Sequence, residues 1–543
     1  MLPLQFDNRA LRELPVDPEP RNFRRFVRGA CLSRVAPTPV GAPSVAAWVP
    51  EVAAMLGLPE RLDTATEAAA AAVFSGNATL PGSEPFAWRY GGHQFGSWAD
   101  QLGDGRAISL GEVHGPGGRF EVQLKGAGPT PYSRGGDGRA VLRSSLRELL
   151  CSEAMAHLGV PTTRALSLVT TGEPVVRDMF YDGNARPEPG AIVCRVAPSF
   201  VRVGHFEILA AHGEQQAHDA LLDHVVRHHF PALAALPRRE AALGLLREVC
   251  RRSAELVIHW QRVGFVHGVL NTDNLSILGL TIDYGPYGWL DTWDPGWTPN
   301  TTDAHGRRYR FGAQPQVVLW NLVQLANALY PAVPDVPALE AALEVYEAVM
   351  TPGLEAMFRG KLGLPGPGQD GTEEEEDAAL VLGLGEAMSA AETDPTLLYR
   401  ALAGMVAVPE AGSGRDGAEG DADDAALWGV IEPALYDAEA TRRDHGERWL
   451  GWLRRYRARL RRLGRQDDER AAAMNAVNPV VIPRNFLAQE AIDAAEQGDF
   501  APLHALLDAC RRPYEEPANS AFARKRPEWA RSRPGCSMLS CSS

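Results

Sequence analysis

Cysteine, long apolar runs and surplus positive charge are all scarce in this chain, and each scarcity removes a class of protein. The 543 residues hold seven cysteines, at 31, 151, 194, 250, 510, 536 and 541. None forms a Cys-x-x-Cys pair, so neither a zinc site nor the disulfide framework of a small secreted domain is indicated. No stretch approaches the ~18 continuous apolar residues of a membrane helix. The first residues, Met1-Leu2-Pro3-Leu4-Gln5-Phe6, lack a basic start followed by an apolar run, so the expected location is the cytoplasm. Lys and Arg number 54 against 68 Asp and Glu, a formal charge of -14. That balance argues against nonspecific partnership with nucleic acid or an anionic membrane. The local basic run from Arg454 to Arg465 is expected to be a mostly solvated helix face. Five cysteines are expected to be buried thiols. Cys536 and Cys541 lie in a small, polar tail where exposed, mobile side chains are expected, and a redox role for them is open.

The most informative absence lies within residues 267 to 285. A protein kinase catalytic loop reads His-Arg-Asp-Leu-x-x-x-Asn and is followed by a metal-binding Asp-Phe-Gly. Here His267, Leu270 and Asn274 keep that spacing, and Asp283-Tyr284-Gly285 stands in for the metal triplet. Val269 occupies the slot of the base, and a valine accepts no proton. The chemistry is therefore lost or moved, and Asp273, beside Asn274, is where a displaced base would sit. Asn274 offers an amide oxygen and Asp283 a carboxylate, hard donors suited to Mg²⁺ or Mn²⁺. They stand nine residues apart, across a strand-like Leu275 to Leu278. The alternative is that Asp273 and Asn274 merely cap a turn.

Length allows two or more domains, or one two-lobed domain with additions at both ends. Residues 1–85 read as a proline-rich flank of short helical pieces. Residues 86–205 read as strand-rich: Arg106 to Val113, Arg119 to Lys125 and Ala191 to Val196 alternate between glycine or proline turns. One helix interrupts them at about 139–158, ending at Gly159. Residues 206–362 are helical, notably 238–263 and 315–330. Within 363–425 two low-complexity stretches, Gly363 to Asp377 and Ala411 to Asp424, are expected to be loops or disordered insertions. Residues 426–543 return to amphipathic helix and end in the cysteine-containing tail.

A triphosphate needs backbone amides, fixed cations and metal ligands. Gly103-Asp104-Gly105-Arg106 precedes a strand and would let the backbone approach a phosphate while Arg106 adds a charged donor. By itself this is also an ordinary hairpin turn. Lys125 ends the next strand at a spacing close to that between a kinase glycine loop and its lysine. Glu148, on the helix that follows, is the carboxylate expected to hold it, with Glu153 as runner-up and pairing to Arg143 or Arg147 as the alternative. Arg195 and Arg202 are further cations near the lobe junction, or else surface arginines on a strand.

Taken together, these segments resemble the selenoprotein O family of kinase-like protein adenylyltransferases. The resemblance runs from Phe6-Asp7-Asn8-Arg9-Ala10-Leu11 through Tyr90-Gly91-Gly92-His93-Gln94-Phe95-Gly96, Gly103 to Ala107, Leu124-Lys125-Gly126 and His267 to Asn274, to Asn478-Pro479. It implies an α+β, two-lobed protein-kinase-like fold that holds ATP reversed, so that its α-phosphate meets a protein Ser, Thr or Tyr hydroxyl and pyrophosphate leaves. It also implies that Gly103, Gly105, Arg106, Lys125, Asp137, Gly138, Arg195 and Arg202 bind nucleotide, that Asn274 and Asp283 bind Mg²⁺ or Mn²⁺, and that Asp273 is the base. Some members carry selenocysteine near the C-terminus, where this chain has Cys541. The segment 283–312 holds no cysteine, so a disulfide from the tail to it cannot form.

The reading is thus a nucleotidyltransferase acting on proteins. An atypical kinase moving the γ-phosphate and a nucleotide-binding pseudokinase scaffold are the rivals. UTP fits the same residues as ATP, and the oligomeric state is open.

Overall fold

The computed structural model describes residues 2–180, 182–368, 373–407 and 419–540. Its centre is one antiparallel sheet. Four short strands come first, β1 (Gln5–Phe6), β2 (Leu32–Arg34), β3 (Ser44–Trp48) and β4 (Phe86–Trp88). A separate small hairpin follows, β5 (His93–Gln94) with β6 (Ser97–Trp98), and then the long strands β7 (Ala107–Gly115), β8 (Gly118–Lys125), β9 (Arg164–Arg177) and β10 (Arg186–Ala197). The order across the sheet is β2-β4-β7-β8-β10-β9-β3, with β1 added beside β7. Register sets Lys125 opposite both Ala107 and Val193, and Arg195 opposite Gln123.

The strands β7, β8 and β10 are buried along most of their lengths, the mark of a sheet covered on both faces. The helix Leu142–His157 packs its Leu146, Leu149 and Leu150 into the same core as Val122, Leu124, Ile192 and Cys194. The C-terminal helices Asn485–Ala495 and Ala501–Cys510 join that core through Phe486, Ile492 and Leu506. A second core is built on the helices Val203–Ala211, Arg238–Val263 and Gln314–Leu329, and a third on Trp449, Trp452 and Tyr456 of the helix Ala438–Leu463.

The structure departs from several of these expectations. The flank 1–85 supplies sheet strands as well as helices, because β2 and β3 pair with β4 and β9, a long-range pairing that short segments do not announce. Strand β9, which carries Gly172 and Pro174 within it, is a long strand of 86–205 not among those expected. Leu275 to Leu278 form no strand; Ser276 makes only an isolated bridge to Arg202. The glutamate run is no loop: Glu374–Ala390 is a helix whose Asp377 is fully buried against Arg459 at 2.8 Å. Glu373 and Glu376 pair with Arg462, so arginines distant in sequence neutralise the run. The second stretch lies outside the described residues from 411 to 418, and its end opens the helix Glu419–Ile431. The basic face 454–465 is largely exposed, although Arg459 is buried.

The tail differs as well. Cys536 is buried, its thiol pushed up to about 12 by burial, with its carbonyl accepting from Asn485 Nδ2 at 2.6 Å. Leu539 exchanges backbone hydrogen bonds with Pro299 and Thr301. Cys31, Cys151, Cys194, Cys250 and Cys510 are all buried free thiols, and Cys541 lies outside the described residues.

Candidate active site

A cleft of about 830 Å³ opens between the sheet and the segment 269–286. Its deep end is a cluster of charges. Lys125 Nζ lies 2.6 Å from Glu148 and 3.0 Å from Asp283. Arg195 reaches Glu148 at 3.1 Å and Asp283 at 3.2 Å, and Arg202 reaches the other Asp283 oxygen at 3.0 Å. Lys125, Arg195 and Arg202 thus gather around Glu148 and Asp283, with Asp104 and Asp273 also in the field of Arg202, and place fixed cations where an anionic ligand would enter. Arg195 and Arg202 are buried rather than surface arginines. The helix Leu142–His157 aims Glu148 inward. Its neighbours are used elsewhere: Arg143 pairs with Glu188, Arg147 donates to the Tyr287 carbonyl, and Glu153 holds Arg164.

Burial pushes the Asp283 carboxyl up, but Lys125, Arg202 and Arg195 outweigh it and hold the group well below the usual carboxylate range. Asp283 sits at φ 61°, a backbone conformation that a residue with a side chain adopts at a cost and that clusters at functional sites.

Asp273 lies in the short turn of helix Thr272–Asn274 and lines the same cleft. Its environment is opposite in sign. Burial, with the like charge of Asp283, raises its carboxyl to about 7 against the pull of Arg202 and Gln94. One oxygen accepts from Gln94 Nε2 at 3.3 Å, and the other is buried with no hydrogen-bond partner among the described residues. Such an orphaned acceptor needs a reason, and a ligand hydroxyl would satisfy it. Two carboxylates with divergent protonation in one cleft are the usual mark of divided acid-base and electrostatic roles.

Asn274 donates its amide N–H to the Val269 carbonyl at 2.9 Å, which leaves the amide oxygen as the ligand atom. With the ionised Asp283 it forms a hard oxygen pair, and this donor set fits Mg²⁺ or Mn²⁺.

The upper wall carries the glycines. Gly103 has φ 74° and a Cβ there would strike the Tyr132 ring, while Gly138 has φ 73° and would strike Gly128. Gly103 is thus demanded by the packing of the 103–105 turn on the 128–138 loop, and Gly138 by the closure of that loop on its own start; Thr130 Oγ1, donating to the Asp104 carbonyl at 2.6 Å, ties the two segments together. Gly105 lies against the Tyr132 carbonyl. Arg106 faces the cleft and has no ion-pair partner among the described residues. Asp137 stands at the rim, where burial raises its carboxyl but Arg177 and the Arg139 N–H more than offset it. The Asp137–Arg177 pair closes at 2.6 Å.

Sequence reasoning gave no role to Arg177, Gln94 or Gln123. Gln123 bridges Asp104, to which it donates at 3.0 Å, and Arg195, from which it accepts. Its place two residues before Lys125, on the same face of β8, was the available signal.

This arrangement defines a class: an α/β protein whose cleft suits a polyphosphate held by fixed cations beside two carboxyl groups whose proton affinities are pushed in opposite directions. The comparisons narrow it. The family model described as Protein adenylyltransferase SelO matches residues 32–511. Among curated relatives, the protein nucleotidyltransferase YdiU of Azoarcus sp. (strain BH72) is 57% identical over 545 aligned positions, covering all of both chains. Those of Aromatoleum aromaticum, covering 99% of each chain, and Xanthomonas campestris pv. campestris (strain 8004), covering all of both, are each 54% identical. The chain belongs to the SelO family.

Proposed function

We propose that this chain is a protein adenylyltransferase that transfers AMP from ATP to Ser, Thr or Tyr hydroxyls of proteins and releases pyrophosphate. Family membership and the relatives' printed name, protein nucleotidyltransferase, support transfer of a nucleotide to protein. The observation that carries the local assignment is the Asp273 carboxylate, with one orphaned buried oxygen, in the same cleft as the cation cluster on Asp283. The strand-rich core around β7, β8 and β10 and the helical core beyond residue 203 suit a two-lobed protein-kinase-like arrangement, with 86–205 as one lobe and 206–362 as the other. Among the described residues no helix is long and apolar enough to cross a membrane; a cytoplasmic location is part of the proposal.

In this reading Asp273 accepts the proton of the acceptor hydroxyl. The hydroxyl oxygen then bonds to the α-phosphorus as the bond to the β-phosphate oxygen breaks. Lys125, Arg195 and Arg202 hold the pyrophosphate end deep in the cleft, and Arg106 adds a donor near its mouth. Glu148 keeps Lys125 and Arg195 in place. Gly103, Gly105, Asp137 and Gly138 shape the wall against the nucleotide, with Asp137 braced by Arg177. Mg²⁺ or Mn²⁺ on Asn274 and Asp283 would neutralise phosphate charge.

Paired substitutions test the division of labour. Asp283→Ala should abolish transfer and weaken metal–nucleotide binding. Asp273→Ala should keep nucleotide affinity while slowing transfer by about 10²–10⁴-fold. Undiminished turnover in Asp273→Ala would place the base elsewhere, and full activity in Asp283→Ala would remove the metal assignment.

A further inference from the structure

The hairpin β5–β6 is pinned to the segment that carries Asp273. His93 N donates to Thr272 Oγ1 at 2.7 Å, and Phe95 N donates to Tyr309 Oη at 2.9 Å and to Asn271 Oδ1 at 3.2 Å. Gln94 reaches the Asp273 carboxylate itself. The His93 ring is fixed from below by Glu207 at 2.6 Å.

Although the backbone is held so firmly, the hairpin turns its large rings outward: Phe95 is 39% and Trp98 38% exposed. Phe95 sits at φ 52°, a left-handed conformation costly for a bulky residue. The aromatic surface continues beyond the hairpin. The His93 ring lies 5.2 Å from Trp98 and 5.4 Å from the half-buried Trp320, and Val323, one turn along the same helix, is exposed. Arg308 stacks its guanidinium over Trp320 at 4.7 Å, with no ion pair to that guanidinium among the described residues. Asp303, whose carboxyl feels the Arg308 charge, already accepts the backbone N–H groups of Arg308 and Tyr309.

This surface is continuous with the cleft, because Gln94 and Phe95 line both. An acceptor whose hydroxyl reaches Asp273 from the Gln94–Phe95 side of the cleft lies beside it. Rigid exposed aromatics beside an unpaired arginine match an apolar side chain next to an acidic one. We propose that His93–Trp98, Trp320 and Arg308 form the acceptor-docking surface. They take an extended protein segment whose Ser, Thr or Tyr hydroxyl is flanked by an apolar or aromatic residue over Phe95 and Trp98 and by Asp or Glu facing Arg308. The proposal rests on the protein-transfer reading above and names the substrate class of that site.

The experiment uses the full chain, α-labelled ATP with Mg²⁺ or Mn²⁺, and a library of Ser-, Thr- and Tyr-centred peptides with varied flanks. Wild type, Trp98→Ala and Arg308→Glu are compared, and nucleotide affinity is measured for each by equilibrium binding. Wild type should favour peptides with one apolar and one acidic neighbour. Trp98→Ala should raise KM for them by about tenfold or more while nucleotide affinity stays within about twofold. Arg308→Glu should exchange the acidic preference for a basic one, a gain that misfolding cannot produce. Labelling indifferent to flanks, or unchanged KM in both variants, would overturn the docking surface while leaving protein transfer intact. Label that goes only to the enzyme itself, at a rate second order in enzyme, would overturn it in favour of a second copy as occupant. Label on no peptide and no protein would sink the transfer reading and this inference together.

Discussion

Lys125→Met tests whether the buried charge cluster is scaffold, machinery or both. The Lys125 and Glu148 side chains are 9% and 3% exposed, with nitrogen and oxygen 2.6 Å apart. Methionine keeps most of the stem's volume and removes the charge. Deleting one member of a buried pair costs about 3–5 kcal/mol, because the partner stays charged in a poor solvent. Glu148 retains Arg195, and Asp283 retains Arg195 and Arg202, so the lower end, about 3 kcal/mol, applies. This lowers the thermal midpoint by about 2–4 °C per kcal/mol if the unfolding unit is about 150–250 residues, and by less for a larger one. Adding Glu148→Leu removes the carboxylate left with one cation fewer but also takes a partner from Arg195, which keeps only Asp283, so it should recover part of the loss. Transfer should behave otherwise, falling about 10²–10³-fold in the single variant, as when one fixed donor to developing charge is lost. It should stay down in the double variant. Calorimetry and a transfer assay on the three proteins separate the roles. A single variant as stable as wild type would refute the pair's place in the core, and a double variant that regains transfer with stability would refute a role for the ammonium toward phosphate.

Two further outcomes follow. Because Asp273 must be unprotonated to act as base and its carboxyl lies at about 7, kcat/KM should fall about tenfold per unit as pH drops below that value and level off above it. Asp273→Asn should be slow and flat over the same range, and an identical profile in that variant would assign the titration to another group. Cys536 should react with a thiol reagent only as fast as the tail opens, since its thiol is buried and shifted to about 12. Prompt labelling of Cys536 in the folded protein, read by mass spectrometry, would contradict the docked tail.

The parts of the site that were legible in the sequence are those fixed by local spacing. Asn274 and Asp283 stand at kinase-like separation, Lys125 closes a strand that alternates cleanly, and Glu148 falls on the inward side of a helix with an evident leucine face. The parts that were not legible depend on chain segments brought together by the fold. Asp137 meets Arg177 at 2.6 Å only because β9 ends beside the loop. Gly103 and Gly138 look like phosphate-facing glycines, yet their lack of a side chain is demanded by Tyr132 and Gly128. The acidic run at 373–377 reads as loop because its arginine partners, Arg459 and Arg462, are far along the chain. Cys536 reads as exposed because the tail is small and polar, while Asn485 and the backbone at Pro299–Thr301 hold that tail down.

The most direct test of adenylyl transfer is to incubate the purified chain with a general protein substrate, Mg²⁺ or Mn²⁺, and ATP labelled at either the α- or the γ-phosphate, beside Asp283→Ala. The account predicts label on protein from α-labelled ATP only, and none in the variant. Label arriving only from γ-labelled ATP would contradict it and make the chain a kinase.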